Sequence, residues 1–225
     1  MTNEKVLVVL SGGQDSSTCL LWAVKTFPEV FTITFNYNQR HKLELDAAQD
    51  IADYLFVPHE VVHLPMIREL TTSPLLGSAK NPNIGNLPAT FIPGRNILFL
   101  TCAAMYAHKY GIHTIITGVC ETDYSGYPDC REKTIKSLEQ TLTLGMEWKV
   151  NILTPLMKLT KAESINLIKD YPEAEPILRM SHTCYRNEFP PCGECDACKL
   201  RAKGFAEAGM EDPIFSWEEN DTQLN

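Results

Sequence analysis

Short β-branched runs alternate with helical patterns along the first two thirds of this 225-residue chain. The runs start with VLVVL at residues 6–10 and end with VNILTPL at residues 150–156, and the segments between them carry apolar residues at helical spacing. A chain that alternates strands with helices buries the strands in a parallel sheet between helices. The sequence therefore predicts an α/β fold, a doubly wound and mainly parallel sheet with helices on both faces.

The alternation also locates the elements and two interruptions. Strands are predicted at residues 6–10, 30–35, 60–64, 114–119 and 150–156, and helices at residues 16–25, 41–55, 97–110 and 132–144. Residues 71–96 are rich in Pro, Gly, Asn and Ser and too long for a simple connection, so we predict a lid loop there. Four of the eight cysteines lie close together near the carboxyl terminus. We therefore expect an α/β domain at residues 1–180 and a small module at residues 181–225.

Charge and hydropathy limit the partners of the chain. Its net charge of −8 argues against a broad surface for nucleic acid, although it does not exclude a local basic groove. No apolar run approaches the length that spans a membrane, and the apolar stretch at the amino terminus is too short for a signal peptide. We expect a cytoplasmic protein without nucleic acid or a membrane as a direct partner.

The first predicted strand runs into the turn SGGQDSS and then into the first predicted helix. Gly12 and Gly13 let the backbone approach an anion closely, and the N–H groups at the start of the helix point toward it. The serines of the turn add hydroxyl groups, and Asp15 is suited to hold Mg²⁺ beside phosphates. The expected nucleotide-binding residues are Leu10, Ser11, Gly12, Gly13, Gln14, Asp15, Ser16, Ser17 and Thr18.

The spacing of this turn excludes two common phosphate loops. A Walker loop requires a lysine that the turn lacks, and the glycines of a dinucleotide-binding fingerprint are absent as well. A tight glycine turn without a ligand is the alternative. SGGQDS resembles the pyrophosphate-binding loop of the ATP pyrophosphatase (PP-loop) superfamily, whose fold is adenine nucleotide alpha hydrolase-like. The resemblance implies that ATP is cleaved between the α and β phosphates, with adenylation of a carbonyl or carboxylate oxygen and release of pyrophosphate.

The cysteines near the carboxyl terminus follow the spacing C-x7-C-x2-C-x2-C, at Cys184, Cys192, Cys195 and Cys198. Four thiolates complete a tetrahedral zinc site. Because no position is left for a water molecule, the zinc would be structural and would fasten the carboxyl-terminal module to the domain. An iron–sulfur cluster, which also takes four cysteines, is the alternative.

A polar loop, GVCETDYSGYPDCR at residues 118–131, follows a predicted buried strand and would lie on the ligand side of the sheet. Its carboxylates would accept hydrogen bonds from a guanine-like amine and ring N–H, and Tyr124 or Tyr127 would stack on the ring. A solvated loop with ordinary turn residues is the alternative.

Arginines before two predicted helices complete the candidate site. Arg95 would face a phosphate or a substrate carboxylate, unless Asn96 merely caps the next helix. Arg40 and His41 likewise either reach the site or cap the helix that follows them. We expect catalytic roles for Asp15, Ser16, Arg95, Glu121 and Asp123, and substrate binding by Arg40, Tyr124, Asp129 and Arg131.

Together these segments resemble the 7-cyano-7-deazaguanine synthase family of the queuosine and archaeosine precursor pathway. The matching stretches span nearly the whole chain and are VVLSGGQDSSTCL, FNYNQRH, TFIPGRNILFLT, TGVCETDYSGYPDCR, TPL and the cysteine module that ends in KLRAKGF. Two departures concern local shape. Asn38 stands where the family usually has glycine, which a left-handed asparagine tolerates, and the loop between Cys184 and Cys192 is one residue shorter.

The resemblance implies an ATP-dependent ligase that converts 7-carboxy-7-deazaguanine and ammonia into 7-cyano-7-deazaguanine through adenylated acid and amide intermediates. It also implies ATP, Mg²⁺ and structural Zn²⁺ as cofactors, and a homodimer. Because no cysteine nucleophile of an amide-splitting domain is apparent, free ammonia is the expected nitrogen source. Three alternatives stay open: an enzyme that adenylates a base in tRNA, a binding protein that holds ATP as a structural ligand, and a relative that stops at the amide or attaches its substrate to a protein.

Overall fold

The computed structural model describes residues 4–40, 42–121 and 126–215. Within these residues, five strands form one parallel sheet in the order β3-β2-β1-β4-β5. The strands are β1 (Lys5–Val9), β2 (Glu29–Asn36), β3 (His59–His63), β4 (Thr114–Ile116) and β5 (Asn151–Leu153). The predicted parallel sheet of an α/β fold is therefore confirmed.

Helices cover both faces of this sheet. They are α1 (Gln14–Thr26), α2 (Leu43–Tyr54), α3 (Ile67–Leu70), α4 (Arg95–Lys109), α5 (Glu132–Gly145), α6 (Lys161–Asn166), α7 (Ala174–Met180) and α8 (Asp196–Glu207). The sequence pattern predicted α1, α2, α4 and α5. It missed α3, α6 and α7, which have four, six and seven residues and are too short to display a helical period, and it also missed α8 in the cysteine-rich segment. In the part of the chain that the structure describes, no helix combines the length and apolarity needed to cross a membrane.

Alternate side chains of β1 enter separate cores on the two faces of the sheet. Leu7 belongs to the core that contains Leu100 of α4 and Ile135 of α5. Val8 belongs to the opposite core, with Leu20 of α1. Successive residues of a strand point to opposite faces, so a strand that is buried on both faces is apolar throughout. This explains why VLVVL shows no alternation of polar and apolar residues.

The strand order places a crevice beside β1. The sheet extends from β1 through β2 to β3 on one side and through β4 to β5 on the other. Open parallel sheets bind ligands in the crevice at such a reversal, beyond the carboxyl ends of the strands. Since β1 leads into the SGGQDS turn and α1, the turn lies at this crevice.

Residues 71–96 and the cysteine-rich segment both pack on the α/β domain. Residues 71–96 include a 3-10 helix at Pro74–Leu76, from which Leu75 and Leu76 join the core that contains α4. In the cysteine-rich segment, Phe205 of α8 is 1% exposed and joins the core that contains α1. Leu75 from the first of these segments and Tyr185 from the second line the cavity at the crevice.

Candidate active site

The hydroxyl groups of the SGGQDS turn hold the start of α1 in place. Gly13 is the N-cap residue and offers no side-chain acceptor to the first turn. Ser16 Oγ and Ser17 Oγ donate hydrogen bonds to Gly13 O at 3.0 and 2.9 Å, and Ser11 Oγ shares a hydrogen bond of 3.0 Å with Ser16 Oγ. The positive end of the helix dipole and the backbone N–H groups favour an anion at this point.

Gly12 lets the turn approach α2 closely. Its φ of +81° lies in the left-handed region, and a Cβ atom at this position would come within 2.0 Å of Glu44 O and 2.8 Å of Ala48 N. On the other side, Gly12 O accepts a hydrogen bond of 2.9 Å from His182 N. The turn is thus held between α2 and the segment that leads to the cysteines.

We expect Gly12→Ala to lower the free energy of unfolding by about 3 kcal/mol, because it combines left-handed strain with a backbone clash. Gly111→Ala is the matched control, since Gly111 has a φ of +68° in open space and should lose only about 1–2 kcal/mol. Urea unfolding of both variants measures the difference. Equal losses would contradict a tight contact between the turn and α2.

Helix α6 supplies the lysine that the turn lacks. Lys161 Nζ lies 2.7 and 2.6 Å from the two carboxylate oxygens of Asp15, which is 146 positions away in the chain. A capping box of Thr160 and Glu163 starts α6 at Lys161. Gly204 of α8 makes room for its side chain, because a Cβ atom there would come within 2.5 Å of Lys161 Cγ. The sequence analysis missed Lys161, since no local pattern links it to the turn.

A cavity of about 300 Å³ opens beside the turn, a volume typical of small-ligand sites. Of the predicted nucleotide-binding residues, those that line it are Leu10, Ser11, Gly13, Gln14, Asp15 and Ser16. The Gln14 side chain is buried, and neither end of its amide has a hydrogen-bond partner among the described residues. Because buried amides are normally paired, Gln14 indicates that this cavity receives a polar ligand or water.

Another part of the cavity wall is aromatic and carries Arg95. Phe35 and Phe99 stack with ring centroids 4.7 Å apart, and the Arg95 guanidinium carbon lies 5.9 Å from the centroid of the Phe99 ring. Arg95 Nη1 donates to Tyr37 Oη at 3.4 Å, whereas its buried Nε has no partner among the described residues. This arrangement suits a flat ring that carries a carboxylate or phosphate.

Arg95 and Glu44 bring opposite charges to this cavity. Burial would lower the pKa of Arg95, but Tyr37, Tyr127 and Asp129 raise it above its ordinary value, so the guanidinium stays charged. Glu44, in the first turn of α2, lines the same cavity. Burial raises the pKa of Glu44 to about 7, and the charge of Arg95 opposes that rise. The sequence analysis assigned no role to Glu44.

Two of the predicted carboxylates lie at helix starts and do not line the cavity. Glu121 Oε1 accepts a hydrogen bond of 2.7 Å from Glu132 N at the start of α5, and Glu121 Oε2 lies 3.3 Å from Lys158 Nζ. Asp129 Oδ2 accepts a hydrogen bond of 3.0 Å from Asn96 N at the start of α4. Both carboxylates satisfy N–H groups that a helix leaves unpaired, and their predicted roles toward substrate stay predictions.

Five other candidate site residues are exposed or lie outside the described residues. Arg40 and Arg131 are exposed and do not line the cavity. Asp123, Tyr124 and His41 lie outside the described residues. The roles of these five residues stay predictions.

The four cysteines form a candidate metal centre. Their Sγ atoms all lie within 4.8 Å of one another, and Cys192 Sγ is 3.9 Å from Cys198 Sγ. Tetrahedral zinc with Zn–S bonds of about 2.3 Å places its thiolates roughly 3.8 Å apart, so the donor set fits such an ion. The Cys195 N–H, 3.4 Å from Cys192 Sγ, helps to lower the pKa of the Cys192 thiol to about 7, which favours the thiolate that binds metal.

The cysteine-rich segment also joins the active-site elements. Asn187 Oδ1 accepts a hydrogen bond of 3.0 Å from Leu43 N at the start of α2. Arg201 of α8 forms a buried ion pair with Asp212, at 2.7 Å from Nε to Oδ2, and donates to Leu178 O of α7 at 2.7 Å. A metal bound to the cysteines would therefore stabilise the placement of α2, α7 and α8 together.

Two solved structures share the fold of this chain at low sequence identity. A 4-thiouridine synthetase–RNA complex with bound ATP matches with a TM-score of 0.53 and 16% identity over 92% of this chain and 50% of that chain. The U34-tRNA thiolase NcsA from Methanococcus maripaludis, with its [4Fe-4S] cluster, matches with a TM-score of 0.51 and 17% identity over 91% of this chain and 65% of that chain. Together they support the α/β fold of this chain.

Sequence comparison gives the family. Residues 5–209 match the family described as Queuosine biosynthesis protein QueC. The proteins named 7-cyano-7-deazaguanine synthase from Laribacter hongkongensis and Chromobacterium violaceum are each 50% identical, over 95% of this chain and 95% and 94% of those proteins. The one from Bacillus subtilis is 46% identical over 92% of this chain and 96% of that protein. The chain therefore belongs to the QueC family of enzymes, the 7-cyano-7-deazaguanine synthases.

Proposed function

We propose that this enzyme is an ATP-dependent ligase that converts 7-carboxy-7-deazaguanine and ammonia into 7-cyano-7-deazaguanine for queuosine biosynthesis, with release of AMP and pyrophosphate. The observation that carries the proposal is one cavity that joins the anion-binding turn to an aromatic wall with a free guanidinium donor on Arg95. The names of the relatives support the product and the pathway.

The first activation converts a carboxylate, which is a poor electrophile, into an acyl adenylate. The N–H groups of the turn and Lys161 would hold the leaving pyrophosphate, while Arg95 would aim the substrate carboxylate at the α phosphorus. Mg²⁺, when bound, neutralises phosphate charge. Asp15 is the carboxylate that would hold it, because two carboxylate oxygens offer more lone pairs than Lys161 uses.

The second activation uses the same cavity. Ammonia gives the amide, the amide oxygen is adenylated in turn, and loss of AMP leaves the nitrile. The amide must therefore be retained between the two steps. We propose residues 71–96 as the lid that retains it, because Leu75 lines the cavity and Thr90 Oγ1 lies 2.6 Å from Tyr127 Oη on its wall.

We propose a nucleotide-binding domain at residues 1–180 and a module at residues 181–225 that holds structural Zn²⁺ through the four cysteines. The nitrogen source is free ammonia, and the enzyme acts as a homodimer in the cytoplasm, where thiolate ligands stay reduced. The family resemblance supports the homodimer.

Incubation of the purified enzyme with 7-carboxy-7-deazaguanine, ammonium, Mg²⁺ and ATP tests the reaction. Mass spectrometry should find the nitrile, with one AMP and one pyrophosphate for each activation. Amide as the final product in excess ATP would contradict the second activation. ATP left intact with this base would contradict the substrate, and activity with glutamine but not with ammonium would contradict free ammonia.

A further inference from the structure

Glu44 is placed in the cavity by the contact between α2 and the SGGQDS turn. Its backbone oxygen lies so close to Gly12 that a Cβ atom there would come within 2.0 Å of it. The first turn of α2 therefore lies directly against the phosphate-binding turn, and the Glu44 side chain lines the cavity that the turn also borders. Any acyl adenylate formed beside the turn would be near this carboxylate.

Glu44 differs from the other carboxylate of the cavity wall in its partners. Among the described residues, the acidic residues that line the cavity are Asp15 and Glu44. Asp15 accepts two hydrogen bonds from Lys161. The Glu44 side chain, by contrast, forms no hydrogen bond or ion pair with residues 4–40, 42–121 or 126–215. A partly buried carboxylate without a hydrogen-bond donor is costly, so a cationic ligand that donates hydrogen bonds is favoured there.

We propose that Glu44 binds the ammonium ion and accepts the proton that it must lose before its nitrogen attacks the acyl adenylate. The inference rests on the proposed function, in which ammonia is the nucleophile. Ammonium has no lone pair, so an enzyme that meets it at neutral pH gains from a base beside the reacting carbon. An anion at the same place also attracts the cation into the cavity.

The proton transfers balance across the step. One proton moves from ammonium to the Glu44 carboxylate and leaves ammonia. As the C–N bond forms and the bond from the acyl carbon to the phosphate oxygen breaks, a second proton leaves the nitrogen and is taken by the phosphate oxygen of departing AMP. The products are the amide, AMP and neutral Glu44, which returns its proton to solvent before the next cycle.

The groups that face Glu44 suit a base that works near neutral pH. The groups that line the same cavity and act on it electrostatically are Arg95 of α4, Tyr37 of the segment after β2 and Tyr185 of the cysteine-rich segment. Burial raises the pKa of both tyrosines, so they stay neutral, and Arg95 is the fixed positive charge. With a pKa of about 7 for Glu44, the ionised form that accepts a proton is present above that pH and is lost as the pH falls through it.

Glu44→Gln separates proton transfer from activation when two reactions are measured. Substrate-dependent exchange of pyrophosphate into ATP without ammonium reports the first activation, and it should stay within about threefold of wild type. Amide formation from ammonium at neutral pH should fall about 10²-fold, and the rate of the variant should then rise with pH as free ammonia increases. Asp46→Asn, on the same turn of α2 but exposed, is the control and should change neither reaction.

Hydroxylamine provides the decisive comparison, because it is an uncharged nucleophile at neutral pH. Glu44→Gln should form the hydroxamate at nearly the wild-type rate. Equal loss with hydroxylamine and ammonium, or loss of the exchange reaction, would overturn the inference and indicate instead that Glu44 binds the guanine-like edge of the substrate or supports the fold. Absence of exchange in the wild type would overturn the proposed function itself, and with it this inference.

Discussion

Replacement of Lys161 by alanine should lower the rate of the first activation about 10²–10³-fold, since it removes the positive charge that we propose to hold the leaving pyrophosphate. Lys161 is the lysine that lies against the turn, and its Nζ lies 2.6 Å from the nearer Asp15 oxygen. The variant would also leave Asp15 without this partner, so its repulsion of phosphate would add to the loss. Substrate-dependent exchange of pyrophosphate into ATP measures the effect.

Two further variants isolate the role of this lysine. Lys136→Ala removes an exposed ion pair with Glu139 at 3.3 Å, and it should leave the exchange unchanged because such pairs contribute little. Lys161→Arg keeps the charge, but the larger group must fit against Gly204, where the present side chain is already in close contact. We expect Lys161→Arg to recover only part of the rate. Exchange by Lys161→Ala within a few-fold of wild type would contradict a role in pyrophosphate release.

The fold could be predicted because its sheet is regular and its longer helices have a clear period. The apolar run of β1 and the alternation that follows it determine a parallel sheet almost without reference to tertiary contacts. The short helices α6 and α7 show no period in the sequence; only the capping box of Thr160 and Glu163 marks the start of α6, and both helices depend on packing against α8 and α1. The strand order, which sets the crevice, likewise depends on how the chain returns after β3.

The part of the candidate site that lies in consecutive residues could be predicted from the sequence. The part that tertiary packing brings together from distant helices could not. The SGGQDS turn contains its donors in consecutive residues, so its chemistry can be read directly. Lys161 and Glu44 reach the cavity from α6 and α2, and a single lysine or glutamate on a helix carries no signal of that kind. The local sequence leaves the roles of Glu121 and Asp129 ambiguous, because a carboxylate next to a helix start is as well suited to cap the helix as to bind a substrate.

Cys195→Ser should remove the metal and destabilise the whole active site. Cys195 is both a member of the four-thiol cluster and the N-cap residue of α8. Structural zinc sites contribute free energy directly to folding, so we expect a fall in Tm of roughly 10 °C or more for a chain of this size. Metal content by mass spectrometry, thermal unfolding and the exchange reaction should all fall together. Cys102→Ser, which alters a cysteine of α4 outside the cluster, should retain metal and activity.

The loss of activity would follow from the contacts that α8 and its flanking segment make. Gly204 of α8 lies against Lys161, and His182 N donates to Gly12 O of the turn. Release of the cysteines would therefore disturb the lysine and the turn at once, although neither belongs to the four-thiol cluster. A soluble, metal-free and fully active Cys195→Ser would contradict this coupling. Iron with acid-labile sulfide in protein purified without oxygen would assign the same four thiolates to an iron–sulfur cluster instead of zinc.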